Sequence, residues 1–231
     1  MDKFTQAYIP GCELAVDASM IGFKGRFFLK RYLPGKPTKW GNKAWGLADS
    51  ANGYLLKCGI YKAKKEIRQQ NLLLGEQVVL QLKENFWGKL HHIYFYNFFS
   101  SKNLMEMLLE QETYSCGTTR ANRKNWLRES RKPAVLQLKR GESKKMQHEE
   151  VTALVWKDKR VLLLSTDSDP RSDGSVKRKT GEGNEETENA CPQAVINYTK
   201  YMGGVDVSDT RRSTMVSADL QNMQNLYYIL S

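Results

Sequence analysis

The sequence predicts an α/β fold, and three observations support it. With 231 residues, 40% of them hydrophobic and 26% charged, the chain has a globular composition and enough length for a substantial core. Between residues 13 and 119, segments typical of strands and of helices follow one another as three strands, helix, strand, helix, strand. Further short apolar runs between residues 134 and 166 predict additional strands.

The first half of this pattern contains one hairpin and one helix. Strands are predicted at Glu13–Ile21, Lys43–Ala48 and Tyr54–Tyr61. The residues between the last two, Asp49-Ser-Ala-Asn-Gly53, are typical of a tight turn and favour a hairpin. A helix is predicted over Gly75–Phe86, with Val79, Leu82 and Phe86 on one apolar face.

A second strand–helix–strand segment follows. Ile93–Tyr96 predicts a buried strand, and Ser100 or Ser101 can cap a helix over Lys102–Gln111. Leu104, Met107 and Leu108 are predicted to form the inward stripe of that helix. Tyr114–Thr119 predicts the next strand. The order of elements is that of an RNase H-like sheet, although other α/β folds share it.

The chain after residue 133 is predicted to contain a β-rich segment, a loop and a helix. Strands are expected at Val135–Leu138, Val151–Trp156 and Val161–Leu164, with a turn at Asp158-Lys159. Residues 167–189 are polar and acidic with a single aliphatic side chain, which predicts a mobile loop. A helix is predicted over Ala194–Met202, interrupted by Gly203-Gly204.

The net charge of +11 is concentrated in the first 166 residues, whose own net charge is +14. Such an excess indicates an anionic partner, most often nucleic acid. Two dense patches, Lys24–Lys43 and Arg120–Lys132, interleave basic residues with aromatic ones. Cations neutralise phosphates and flat rings stack on unpaired bases. The alternative for each patch is a solvated basic surface whose aromatic rings lie in the core.

The sequence also argues against a membrane-spanning protein, a secreted protein, a zinc module and a disulfide framework. No apolar run is long enough to span a membrane, and no apolar run follows the N-terminus as in a secretory signal. The four cysteines are scattered without a CxxC pair and only three histidines are present, so neither a zinc module nor a disulfide framework is expected.

Three aspartates are candidate metal ligands. Phosphoryl transfer on DNA commonly uses divalent cations held by carboxylates from different elements. Asp17 is the only acid within the apolar part of the first predicted strand, and Asp206 and Asp209 would share one face of a helix. Two alternatives stay open: Asp17 as a strand-edge acid bonded to backbone, and Asp206 as a helix N-cap.

Six segments, in order, resemble the piggyBac family of transposases. They are VDASMIGFKGR (16–26), RYLPGKPTKWGNKAW (31–45), HHIYFYNFFSSKNLMEML (91–108), YSCGTTRANRK (114–124), WKDKRVLLLST (156–166) and NYTKYMGGVDVSD (197–209). The resemblance implies an RNase H-like DDE/DDD core that uses Mg²⁺ and joins DNA ends into TTAA targets. It places Asp17 and Asp206 at the first and third catalytic acids, with Asp209 as a neighbouring metal-binding acid.

The second acid of the family falls on Tyr96 in this sequence. A phenol has an ordinary pKa of about 10 and is a poor Mg²⁺ ligand at neutral pH. Ala18 is a second departure, because the family commonly has Glu there. The sequence therefore predicts a transposase-derived protein with impaired catalysis that retains at most DNA binding. An active metal-dependent transposase or nuclease, and an interaction remnant or decayed reading frame, are the alternatives.

The sequence also predicts the division of the chain into domains, its cellular location and its DNA contacts. The predicted divisions are a first part of the core at 1–133, a β-rich insertion domain with an acidic loop at 134–190, and a truncated final part of the core at 191–231. The cluster Lys177-Arg178-Lys179 is compatible with a nuclear location, which is the predicted one. The predicted DNA contacts are Lys24, Arg26, Lys30, Arg31, Lys36, Lys39, Trp40, Lys43, Arg120, Arg123 and Lys124.

Overall fold

The structure is a computed structural model of the chain. It describes residues 7–23, 25–34, 36, 38–62, 71–120, 138–157, 161–166, 173–179 and 186–218. The chain divides into two compact units, one formed by residues 1–86 with 201–231 and the other by residues 87–200. Across the described residues no helix has the length and apolar character needed to cross a membrane. The three divisions expected from composition differ from these units and stay a prediction.

The first unit contains four antiparallel strands: β1 (Glu13–Gly22), β2 (Lys30–Tyr32), β3 (Trp40–Asp49) and β4 (Leu55–Ile60). β3 is central, because it pairs with β1 along one edge and with both β2 and β4 along the other. The sequence predicted β1, β3 and β4 but not β2. That strand has only three residues and lies beside Pro34, so it carries no alternating pattern.

The predicted hairpin between β3 and β4 is present, and Asp49 organises its turn. The Asp49 carboxylate is buried and accepts hydrogen bonds from the Ala51 and Gly11 backbone N–H groups, each at 2.8 Å. Gly53 closes the turn with φ +70°, in the left-handed region that glycine tolerates best. A Cβ at Gly53 would also lie 2.6 Å from the Val207 side chain, so this position needs glycine for two reasons.

Two helices cover the strands of the first unit. α1 (Leu74–Lys83) continues into a 3₁₀ turn (Glu84–Phe86), and the predicted apolar face of Val79, Leu82 and Phe86 is buried. The last helix of the described chain runs over Gly204–Ala218 and packs on β1 and β3. Its start is close to backbone: a Cβ on Gly204 would lie 3.0 Å from the Asp49 carbonyl oxygen. Glycine therefore allows this helix to approach the sheet.

The second unit is built on a mixed sheet of β5 (His92–Phe95), β6 (Tyr114–Thr118), β7 (Ser143–His148), β8 (Val151–Trp156) and β9 (Val161–Ser165). β5 and β6 are parallel, β9 pairs antiparallel with β6, and β8 and β7 follow. Every residue of β8 is buried. The β-rich segment of the sequence thus extends the sheet from β6. β7 is polar in sequence (SKKMQH) and was not predicted.

The helix α2 (Lys102–Glu110) joins β5 to β6. Ser101 is its N-cap, since its hydroxyl accepts a hydrogen bond from the Leu104 N–H at 3.0 Å, and this confirms the predicted capping. The predicted inward stripe is wrong at one position. Met105 is fully buried beside Leu104 and Leu108, whereas Met107 is half-buried, so Met105 takes the place of Met107 on the buried face.

The acidic segment 167–189 is not a loop throughout, and this prediction is wrong for the part of it that the structure describes. β10 (Asp173–Lys179) pairs antiparallel with β11 (Glu186–Pro192) as a separate two-stranded sheet. Cross-strand pairs such as Lys177 with Glu188 place opposite charges side by side, which supports pairing without an apolar pattern. The predicted strand at 135–138 and the turn at Asp158-Lys159 lie largely or wholly outside the described residues.

Helix α3 (Gln193–Tyr201) follows β11, and α4 is the helix over Gly204–Ala218 introduced above. The two helices are separated at Met202-Gly203, close to the predicted interruption. Because α4 begins at Gly204, Asp206 lies in its first turn, and the alternative of Asp206 as an N-cap is wrong. Asp206 and Asp209 share this helix, as the predicted spacing requires.

Candidate acidic site and basic surface

Asp17 lies in the middle of β1 with its side chain facing α4. Its register partner on β3 is Gly46, which has no side chain to cover it. The carboxylate keeps only 19% of its surface exposed. Asp17 and Ser19 point to the same side of β1, since side chains alternate along a strand. These two residues and one helix face form the candidate site.

Lys36 connects two of the predicted catalytic acids. Its Nζ lies 3.6 Å from Asp17 Oδ2 and 3.8 Å from Asp206 Oδ1. It donates a hydrogen bond to the Ala18 carbonyl oxygen at 2.9 Å. We call Asp17, Lys36 and Asp206 the lysine-bridged pair. The sequence predicted Lys36 as a DNA contact, whereas the structure places its ammonium between two carboxylates.

Burial and the neighbouring Lys36 shift the pKa of Asp17 in opposite directions. The pKa of Asp17 is raised above its ordinary value, mainly because burial disfavours the charged form. Lys36 and the Ala18 N–H oppose that rise, and the nearby Asp206 adds to it. Lys43 is also close: burial lowers its pKa, while Asp17 works in the opposite direction. Asp17 is therefore a carboxylate whose charge needs a neighbouring cation.

Asp209 belongs to a second set of contacts one turn further along α4. Ser19 Oγ donates to Asp209 Oδ1 at 2.7 Å, and Arg212 Nη2 lies 2.9 Å from the same oxygen. Arg212 also donates to the Met20 carbonyl oxygen at 3.1 Å. We call Ser19, Asp209 and Arg212 the arginine cluster. Sequence reasoning missed Ser19 and did not identify Arg212 as a partner of Asp209. The i, i+3 spacing of Asp209 and Arg212 could have indicated the ion pair.

These side chains do not fit a divalent cation site as the structure arranges them. Carboxylate oxygens are the ligands Mg²⁺ prefers, so the residue types are suitable. However, the described residues contain no group of three or more His, Cys, Asp or Glu side chains close enough to share one ion. Asp17 and Asp206 already face an ammonium, and Asp209 is held by Arg212. Asp209 as a metal ligand stays a prediction.

Tyr96 comes directly after β5, at the position that the resemblance assigns to the second acid. Its side chain is 47% exposed. Its carbonyl oxygen accepts the Phe99 N–H at 3.0 Å, so Tyr96 begins a turn. The strand end that the resemblance assigns to the second acid thus lies in the second unit and carries a phenol, and the assignment stays a prediction.

The first basic patch forms an exposed face on β2 and β3. Tyr32 and Trp40 are register partners whose ring centroids lie 4.8 Å apart, and Lys30 Nζ lies 5.4 Å from the Trp40 ring centroid. Tyr32 is 49% exposed and Trp40 is 57% exposed. We call Lys30, Tyr32 and Trp40 the aromatic face. The alternative that the rings of this patch lie in the core is wrong for Tyr32, Trp40 and Phe28.

The other predicted DNA contacts have different surroundings. Arg26, Arg31 and Lys39 are exposed. Lys43 packs with its Nζ 4.0 Å from the centroid of the Trp45 ring. In the second unit, Arg120 donates to the Asn97 side chain at 3.2 Å. The predicted contacts Lys24, Arg123 and Lys124 lie outside the described residues. The assignment of all these residues to DNA stays a prediction.

Comparisons with known proteins agree on one family. The family described as Transposase IS4, a DDE transposase family, matches residues 1–231. A solved structure titled as the cryo-EM structure of a piggyBac transposase synaptic complex with hairpin DNA is similar with a TM-score of 0.74 and 27% sequence identity. The match covers 89% of this chain and 41% of that one, so the chain spans less than half the length of this neighbour.

The predicted fold class and the predicted resemblance are both confirmed by these matches. The mixed α/β architecture is that of an RNase H-like DDE transposase. The family match extends over the whole sequence, including the segments that carry Asp17 and Asp206. The chain belongs to the piggyBac family of IS4-type DDE transposases.

Proposed function

We propose that this chain is a transposase-derived DNA-binding protein whose DNA-joining chemistry is impaired. The observation that carries DNA binding is the aromatic face, where two exposed rings and a lysine lie together on the first unit. The structural neighbour is titled as a transposase complex with hairpin DNA, which supports the same class of partner. The net charge of +11 favours an anionic partner as well.

The aromatic face has the chemistry of a base-stacking platform. Register pairing on β2 and β3 orders both rings before any ligand arrives, which reduces the conformational entropy lost on binding. Stacking of one base on an aromatic side chain contributes about 1–3 kcal/mol. Lys30 adds a positive charge beside the rings, and Arg26, Arg31 and Lys39 add exposed charges on the same segment. Such a surface suits an unpaired base flanked by phosphates.

The evidence for impaired catalysis comes from the residues at the three predicted positions of the catalytic acids. Members of this transposase family normally use a divalent metal. Here the residue at the second acid position is Tyr96, and Asp17 and Asp206 face Lys36. A missing ligand in a catalytic unit removes most of the rate enhancement of the whole unit. We therefore place this chain among binding proteins, with an active metal-dependent transposase as the second candidate.

The binding proposal is tested by fluorescence anisotropy with a DNA hairpin and with a single strand of the same sequence. Trp40→Ala is expected to weaken binding about 5- to 150-fold, because it removes one stacking surface. Lys30→Gln is expected to reduce the slope of log K against log salt by about 0.7–0.9, since one phosphate contact is lost. Phe98→Ala, which removes a 39% exposed ring in the second unit, serves as the matched control.

Two outcomes would contradict DNA binding through this face. Equal affinities of the wild type and Trp40→Ala would remove the aromatic face from the interface. Absent or salt-independent binding by the wild type would favour an interaction remnant without a nucleic-acid role.

The catalytic proposal is tested by a Mg²⁺-dependent nicking assay on transposon-end DNA. The wild type is compared with Tyr96→Asp and with Asp17→Ala. We expect no nicking by the wild type. Nicking by the wild type that Asp17→Ala abolishes would support the active transposase. Nicking by Tyr96→Asp alone would attribute the inactivity to one lost carboxylate.

The intracellular location is also a proposal. A DNA-binding role is consistent with a nuclear location, and the basic cluster Lys177-Arg178-Lys179 lies on β10. Microscopy of a fluorescent fusion, beside a variant with these three residues changed to Gln, would test it. We expect the variant to lose nuclear accumulation.

A further inference from the structure

The lysine-bridged pair has an internal cation where two carboxylates converge. Lys36 Nζ faces Asp17 Oδ2 at 3.6 Å and Asp206 Oδ1 at 3.8 Å, while its hydrogen bond goes to the Ala18 carbonyl at 2.9 Å. Both carboxylate distances are beyond hydrogen-bonding range. The ammonium is thus anchored by the carbonyl and neutralises the two acids through space.

Electrostatic interactions determine which cation can lie between the carboxylates of Asp17 and Asp206. Asp17 is about four-fifths buried, and an ionised carboxylate in such a place needs a cation. A divalent ion using both carboxylates would have to share the space between them with the ammonium, and like charges at contact distance repel. The neighbouring Lys43 adds further positive potential at Asp17. An incoming cation therefore competes with groups of this chain.

We propose that Lys36 is a built-in counter-ion that masks the Asp17–Asp206 pair from divalent cations. This inference deepens the proposed function, because it gives a reason besides Tyr96 for impaired metal chemistry. Removal of the ammonium should expose a divalent-cation site formed by the two carboxylates. Asp209 does not supply a third ligand while Ser19 and Arg212 hold it at 2.7 and 2.9 Å.

The test is a titration of the full chain with Mn²⁺ in the absence of DNA. The free Mn²⁺ is measured by electron paramagnetic resonance. Lys36→Gln removes the charge and keeps a hydrogen-bond donor for the Ala18 carbonyl. We expect it to bind about one Mn²⁺ at least tenfold more tightly than the wild type. The double variant Lys36→Gln, Asp17→Asn should lose that gain. Thermal unfolding with and without Mn²⁺ gives a second readout, with a rise in Tm expected only for Lys36→Gln.

Lys57 offers a matched control. It also donates to a carbonyl, that of Gln81 at 2.7 Å, and pairs with a carboxylate, that of Glu84 at 3.3 Å. Lys57→Gln should leave Mn²⁺ binding at the wild-type level. An equal gain in Lys57→Gln would show that any loss of positive charge suffices, and this would overturn the proposal.

Two further results would overturn it. Saturable micromolar Mn²⁺ binding by the wild type that Asp17→Asn removes would show that Lys36 does not mask the pair. A Lys36→Gln protein that is folded by circular dichroism yet gains no Mn²⁺ affinity would show the same. Because these measurements contain no DNA, they can fail while the aromatic face still binds DNA, and the reverse also holds.

Discussion

Asp206 and Asp209 lie one turn apart on α4, yet their carboxylates have different partners. Asp209 is fastened at hydrogen-bonding distance by Ser19 and Arg212. Asp206 is 59% exposed and shares Lys36 with Asp17 at distances beyond hydrogen-bonding range. The arginine cluster is therefore a structural contact between α4 and β1. The lysine-bridged pair is looser, because neither carboxylate lies within hydrogen-bonding distance of its cation.

One helix thus makes two kinds of contact with β1: Asp209 is held at hydrogen-bonding distance, and Asp206 is held near Asp17 only through the charge of Lys36. A strand advances about 6.6–6.8 Å over two residues and a helix about 4.5 Å over three. Asp17 and Ser19 on β1 therefore stand opposite successive turns of α4. Because the arginine cluster holds one turn against the sheet, the preceding turn keeps Asp206 near Asp17 without a bond of its own to β1.

The largest expected effect is the loss of the arginine cluster. Arg212→Met removes the ion pair with Asp209 and the hydrogen bonds to the Met20 carbonyl and to Ser19 Oγ, and it leaves a mostly buried carboxylate without its cation. We expect about 2–3 kcal/mol less stability in urea unfolding, between the values for exposed and buried pairs. The adjacent, exposed Arg211→Met should change stability by no more than about 0.5 kcal/mol. Equal effects would remove the distinction between the two arginines.

The next largest loss of stability is expected from a change at Gly204. It tests the close approach of α4 to the sheet, on which both clusters depend. Gly204→Ala places a Cβ 3.0 Å from the Asp49 carbonyl oxygen and 3.2 Å from the Ala15 Cβ. We expect about 1–2 kcal/mol of destabilisation from overpacking. A Cβ at Gly203 meets nothing within 4 Å, so Gly203→Ala is the matched control. If both variants unfold at the same urea concentration, α4 does not need glycine at its start.

A smaller loss is expected for Ser19→Ala. This variant removes the 2.7 Å hydrogen bond to Asp209 and the two 3.3 Å hydrogen bonds that Arg212 donates to Ser19 Oγ, but it leaves the ion pair of Arg212 with Asp209 in place. About 1 kcal/mol should be lost, as for a typical intramolecular hydrogen bond. Ser213→Ala removes an exposed serine hydroxyl on the same helix and should cost less. In a double-mutant cycle, Ser19→Ala and Arg212→Met should be non-additive, since both act on Asp209.

The smallest effect is expected for the lysine-bridged pair itself. Without metal, Lys36→Met loses one hydrogen bond and two ion pairs that are longer than 3.5 Å. We expect less than about 1 kcal/mol of destabilisation by urea unfolding in the presence of a chelator, because neither carboxylate is within hydrogen-bonding distance of the ammonium and Lys43 still lies close to Asp17. A loss as large as that of Arg212→Met would show that the two clusters are equally rigid, and the comparison would fail.

Local chemistry made much of the fold predictable. β1 has enough apolar residues to be recognised, Asp49 to Gly53 is typical turn sequence, and Ser101 is a standard helix cap. In each case the deciding interactions join residues close in sequence. β2 and the β10–β11 pair were missed because their strands depend on backbone pairing and carry no apolar alternation.

The sequence by itself determined the family, the α/β class and the basic first part, and it predicted a phenol at the position that the resemblance assigns to the second acid. Only the tertiary structure decided the partners of the three aspartates. Ser19 and Asp209 are 190 residues apart in the chain, and Lys36 lies in a basic segment that reads as a DNA contact. Which cation neutralises which carboxylate depends on how α4 lies against β1. No local pattern encodes that, because the contact exists only once the sheet and helix have packed.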